Sequence, residues 1–111
     1  MTVTAKCLLQ AKYAENAQTT QYTAGTATRV IVDKFTGYNG TAGAVVLTIN
    51  LVPFGSVAGA SNVKVAKSIA AGETYTFPEM VGQVLNAGDF VSTLAGAATS
   101  IVIRVSGREV T

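Results

Sequence analysis

Histidine is absent from all 111 residues, and so is tryptophan. Without histidine the chain lacks the usual general base near neutral pH, the Ser–His and Cys–His nucleophile pairs, and the commonest metal ligand. The single cysteine, Cys7, excludes both an internal disulfide and a structural zinc site, and reads most simply as a small buried thiol. Charge is also scarce: 13% of residues are charged, about half the typical share of roughly 25%. The eight basic and six acidic residues leave a net charge of +2 and form no run along the chain. No phosphate-tracking stripe is therefore written linearly, and nucleic acid is not an expected partner. No apolar run approaches the roughly 18–20 residues that span a bilayer. Met1-Thr2-Val3-Thr4-Ala5-Lys6 lacks the apolar core of a signal peptide. The expectation is a chain made in the cytoplasm, with no membrane partner and no cofactor.

What is present favours strands. Hydrophobic residues make up 49% of the chain, mostly Ala and Val, alongside many Thr and Gly. Val and Thr suit a pleated surface, and Gly suits the turns between strands. So apolar a chain with so little charge implies that much of its outside is covered by neighbours, which points to assembly.

The strongest pattern runs from Arg29 to Val52. Val45, Leu47, Ile49 and Leu51 alternate with Val46, Thr48, Asn50 and Val52, which places four large apolar side chains on one face. Val30-Ile31-Val32-Asp33-Lys34-Phe35 is equally β-branched, and Asn39-Gly40-Thr41-Ala42-Gly43 between the two runs reads as the turn of a long hairpin. Before it, Val3 to Leu9 forms a first strand with Tyr13 as a trailing anchor, and the polar residues 14–21 form an extended arm or an edge strand. After it, Pro53 closes the strand, and Phe54 to Asn62 is a loop, mobile if nothing packs on it. Strand character returns around Val63 to Ile69, at Thr74 to Phe77, at Phe90 to Leu94 and at Ser100 to Val105. Residues 79–88 cross between strands with Val81, Val84 and Leu85 as inward candidates. About eight short strands separated by turn signals predict one all-β domain over 1–111, an antiparallel β-sandwich of jelly-roll type.

The carboxylates do not converge on chemistry. Glu73 and Glu79 bracket one strand and its Pro78, about 15–20 Å apart at strand rise, whereas a glycosidase pair needs about 5–10 Å. Asp89 after Gly88 reads as a turn stabiliser. Gly37-Tyr38-Asn39-Gly40 is no phosphate loop, since no Gly-Lys-Ser/Thr and no helix follow it. Tyrosines at 13, 22, 38 and 75 could offer stacking faces to a sugar, although Tyr75 sits in an alternating strand and reads as core. Arg104, between Ile103 and Val105, points outward and could pair with Asp33 or Asp89 of a neighbouring subunit. The candidate interface residues are Tyr13, Gln18, Gln21, Tyr22 and Arg104, and no catalytic or metal-binding set emerges.

Several segments in this order resemble small structural proteins encoded by tailed bacteriophages and prophages. They are Asn16 to Ala24, Thr28 to Phe35, Ala71 to Phe77, Ala87-Gly88-Asp89, and Val105 to Val110. The resemblance implies a non-enzymatic virion component. Within that class it implies a capsid decoration (cement) protein that binds itself, as a dimer or trimer, and the major capsid protein or another virion protein. A neck or tail accessory protein is the runner-up, and a carbohydrate-binding β-sandwich the alternative from another class. The arm at residues 1–21 would then add a strand to a neighbour's sheet edge.

Overall fold

The computed structural model describes every residue from Met1 to Thr111. Nine strands follow in order: β1 (Val3–Tyr13), β2 (Thr19–Thr23), β3 (Arg29–Asn39), β4 (Val45–Val52), β5 (Val63–Ile69), β6 (Thr74–Thr76), β7 (Val84–Leu85), β8 (Phe90–Ala95) and β9 (Ile101–Val110). Two short 3-10 turns, Ala60–Asn62 and Pro78–Met80, precede β5 and β7. All pairing is antiparallel. One sheet runs β1-β9-β3-β6 with β7 also on β3; the other runs β2-β8-β4-β5. This is the jelly-roll order. Nine strands occupy eight lanes, because β6 and β7 lie end to end along β3, interrupted where Pro78 removes a ladder donor.

The 29–52 hairpin does not form. Strands β3 and β4 lie in different sheets, and residues 40–44 cross between them. Asn39 makes the corner. Its fully buried side chain donates from Nδ2 to the carbonyls of Gly43 and Ile69, and its Oδ1 accepts from the Thr41 amide and hydroxyl. Its backbone pairs with Gly72 and Glu73 rather than across a two-strand turn. A period-2 pattern is the same in a hairpin and in a corner; the partner that takes each edge decides between them.

Between the sheets lies one cluster of 18 buried hydrophobic residues. Val30, Val32 and Phe35 of β3, Ile101, Ile103 and Val105 of β9, and Leu47 and Ile49 of β4 supply its middle. Phe77 is enclosed there, edge-on to Phe35 at 5.2 Å and to Tyr75 at 4.7 Å. Each such side chain stabilises the fold by about 1.5–3 kcal/mol relative to exposure. The alternation read for β4 holds: Val45, Leu47 and Ile49 are buried in the core and Leu51 packs against it. In the 79–88 segment the inward residues are Met80 and Leu85, while Val81 and Val84 are exposed. Only one of two neighbours in a strand can face the core, and Leu85 takes that place opposite Val30.

Bulges shape the long strands. Pairing of β3 with β9 slips by one residue between Val32 and Lys34, leaving Asp33 extra, and β1 slips twice against β9. Leu8, at the first β1 slip, turns into the core over Gly107. Residues 3–13 are thus a full strand on β9 and residues 19–23 an edge strand on β8, rather than a free arm.

Candidate interaction surfaces

No group of three His, Cys, Asp or Glu side chains could hold a metal. The Glu73 carboxylate accepts from the Ala70 amide, and both Asp89 oxygens accept amides, from Phe54 and Asn86, so these carboxylates tie turns. No helix is long and apolar enough to cross a membrane. Cys7 is half-buried rather than enclosed, its Sγ 3.4 Å from the Leu9 carbonyl.

The sandwich offers four kinds of surface. Along the side formed by β1 and β2, polar groups bridge the two sheets. The Tyr22 hydroxyl donates to Glu109 Oε2 at 2.7 Å, and Lys6 Nζ reaches the same oxygen at 3.1 Å. These partners hold the Glu109 carboxyl below its ordinary range, the Tyr22 bond first and Lys6 second. Partial burial, reinforced by Glu109, pushes the Tyr22 phenol above its ordinary value. Farther along, Glu15 takes Lys12 at 2.9 Å and Gln21 at 2.9 Å, and its carboxyl is lowered by both. Gln21 sits where β2 slips against β8 and also donates to the buried Thr93 hydroxyl.

The second surface is the outer face of the β2-β8-β4-β5 sheet. Toward one end it is roofed: Gln18 Nε2 donates to Asn50 Oδ1 and Ser92 Oγ, while Asn50 Nδ2 donates to the Gly59 carbonyl and Asn62 Oδ1. The 53–62 loop therefore packs down over Asn50 and Val52, both buried, instead of standing free. The rest of the face is open and carries Val46 opposite Ser68, and Thr48 between Ala66 and Leu94. None of these paired positions is charged; Lys64 lies on the bulge at the β5 edge.

The third surface is the outer face of the β1-β9-β3 sheet. Register puts Tyr13, Val102 and Tyr38 in one row across three strands, with Arg104 and Thr36 in the next. Tyr13 and Tyr38 are 52% and 43% exposed, the two tyrosines free to contact a partner. Tyr75 is turned inward against Phe77, with Lys67 Nζ 4.8 Å from its ring. Fourth, at the end where β2, β4 and β8 meet, Phe54 lies across Gly88 beside Ala24, and an open cavity of about 520 Å³ is lined by small neutral residues. It holds no titratable group.

The residues singled out from sequence separate into two groups. Gln18, Gln21 and Tyr22 use their polar atoms inside the chain. Tyr13 and Arg104 are exposed on one face. The expected pairing of Arg104 with Asp33 or Asp89 is preempted: Arg108 grips Asp33 with two nitrogens, the shorter contact 2.8 Å, and Asp89 caps a turn. The slip at Asp33 sets that carboxylate beside Arg108 across β9, a register no local pattern reveals.

With this geometry in place, comparison with known proteins is informative about architecture. No protein-family model matches the chain, and no curated protein matches it in sequence. Among solved structures, a chain from the disulfide-linked pili of Bacillus endospore appendages shares the fold, with TM-score 0.55 and 17% identity, over 99% of this chain and 88% of that one. A chain of infectious bursal disease virus, Gt strain, aligns with TM-score 0.46 and 11% identity; this chain spans 32% of its length. At 17% identity the likeness to the pilus chain is one of fold alone.

Proposed function

We propose that this chain is a non-enzymatic building block of a protein assembly, and more narrowly a capsid decoration protein of a tailed-phage virion. The observation that carries the assembly reading is the outer face of the β4-β5-β8 layer, apolar at Val46, Ala66 and Leu94, with Lys64 its one charged residue, on the bulge at the β5 edge. A nearly neutral face can meet its own copy across a two-fold axis without repulsion, which suits the closed symmetry common among homo-oligomers. With no histidine and no cluster of metal-ligating side chains, the surfaces are read as the functional parts. The narrower reading is supported by the resemblance of the strand and turn segments to phage structural proteins, and it gains from multivalency: weak contacts repeated on a lattice become strong through effective concentration.

The test is twofold. Sedimentation of the purified chain is expected to give a dimer or trimer that Val46→Lys returns to monomer; a wild-type monomer at all concentrations overturns the self-association. Electron imaging of virions purified from cells that produce the chain is expected to show it covering the head. Density confined to the neck or tail replaces decoration with an accessory role, and a particle lacking it altogether rejects the virion reading.

A further inference from the structure

The scattered basic residues, which form no run in the sequence, are gathered by the fold. On the outer face of β3 and β9, Arg104 lies opposite Thr36, Lys34 opposite Ser106, Arg108 opposite Ile31, and Arg29 opposite Val110. Same-face neighbours along a strand are about 6.8 Å apart, so these four cations form a stripe about 20 Å long. Successive cations alternate between the two strands, about 8 Å apart on the diagonal, comparable to the Debye length of about 8 Å at physiological salt, so neighbouring charges still reinforce one another. Asp33 is the one carboxylate on these two strands' outer face, and it is consumed by Arg108. The chain's three ion pairs include none of Arg29, Lys34 or Arg104.

We infer that this face docks an acidic protein surface. The inference rests on the assembly reading above and names the partner's chemistry. A second copy does not fit, because the chain presents no complementary acidic row. Glu15 and Glu109 are held by Lys12 and Lys6 on the β1–β2 side, and Glu73 and Asp89 cap turns. Glu79 alone is unengaged, in the 3-10 turn beside β3. Polypeptide is favoured over nucleic acid by what lies beside the charges. Ile31 among them, and Val102 with the exposed Tyr13 and Tyr38 in the row next to Arg104, give the mixed Tyr, Arg and aliphatic surface of a protein interface. Three uncompensated charges alone would lose about 20-fold in nucleic-acid affinity between 50 and 150 mM salt.

The experiment measures binding of the intact chain to poly-L-glutamate and to an oligo-dT strand of matched charge, at low and at physiological salt. The expected result is tighter binding to poly-L-glutamate. The pair Lys34→Glu with Arg104→Glu should lower that affinity by about tenfold or more, whereas Lys64→Glu with Lys67→Glu on the other sheet should change it by less than about twofold. Equal losses from both pairs would mean that only net charge matters, and would overturn the inference. Tighter oligo-dT binding, or no poly-L-glutamate binding at low salt, would overturn it as well. Lys34, Lys64 and Arg104 are exposed and Lys67 is half-buried beside the Tyr75 ring, and an unchanged urea midpoint certifies each variant's fold. A chain that self-associates as proposed yet fails this assay loses the acidic partner and keeps its assembly role.

Discussion

Gly107 is the position where one added methyl group has the most to displace. A Cβ built there would overlap the carbonyl oxygen of Ile31 and lie 2.9 Å from Leu8 Cδ1. The first obstacle is backbone of β3, fixed by its ladder to β9; the second is the side chain that the β1 bulge turns into the core. Neither can swing aside cheaply. Overpacking of this kind costs about 1–3 kcal/mol, and pushing β3 from β9 endangers one ladder hydrogen bond worth about 1 kcal/mol. Gly107→Ala should therefore destabilise the chain by about 2–4 kcal/mol. With a urea slope of about 1.5 kcal/mol per molar, the midpoint falls by about 1.3–2.7 M. Gly43→Ala is the control, because a Cβ there meets nothing within 4 Å; its midpoint should move by less than about 0.3 M, the equivalent of roughly 0.5 kcal/mol. Urea unfolding followed by circular dichroism reads both. If Gly107→Ala shifted the midpoint no more than the control, the close contact of β1, β3 and β9 at this point would be wrong.

Other perturbations have different signs and probes. Asn39→Ala removes a buried side chain holding the Gly43 and Ile69 carbonyls, and leaving these acceptors unpaired should cost about 2–4 kcal/mol in the same assay. Thr99 holds φ at 52° in an exposed turn, so Thr99→Gly should raise stability by about 0.5–1 kcal/mol, seen as a higher melting temperature. Tyr22→Phe takes away the hydroxyl that chiefly lowers Glu109, and its carboxyl titration by NMR should move up toward the ordinary glutamate value of about 4.3. Because the folded values of Glu109 and Glu15 are lowered, their stabilisation is fully present above that ordinary value. It is lost as pH falls through the folded values, so the wild-type urea midpoint should drop on acidification below about pH 4. A Tyr22→Phe midpoint that falls just as steeply there would show that the Tyr22–Glu109 bond contributes nothing.

How far the sequence reaches can be judged residue by residue. Alternation exposed the inward set of β4, and the Gly, Pro and Asn punctuation exposed most strand limits, since both are local consequences of backbone geometry. The same signals misassigned Asn39-Gly40 as a hairpin turn. They could not tell that Asn39 would be buried and bonded to Ile69, thirty positions away. Gln18, Gln21 and Tyr22 looked like surface residues because their partners Asn50, Thr93 and Glu109 are remote in the chain. Val81 and Val84 looked like core because hydrophobicity alone does not say which face a short strand turns inward.

By itself, then, the sequence determined that the chain is all-β, built of short antiparallel strands around an aliphatic core, with no histidine and a single cysteine. Those properties follow from composition and from a two-residue period, which depend on near neighbours only. The tertiary structure decided which strands share a sheet, where the bulges fall, and that one outer face collects Arg29, Lys34, Arg104 and Arg108 while the other carries Lys64 only at its edge. Such choices rest on pairings between residues far apart in the chain, and a single-residue slip, as at Asp33, changes which side chains become neighbours.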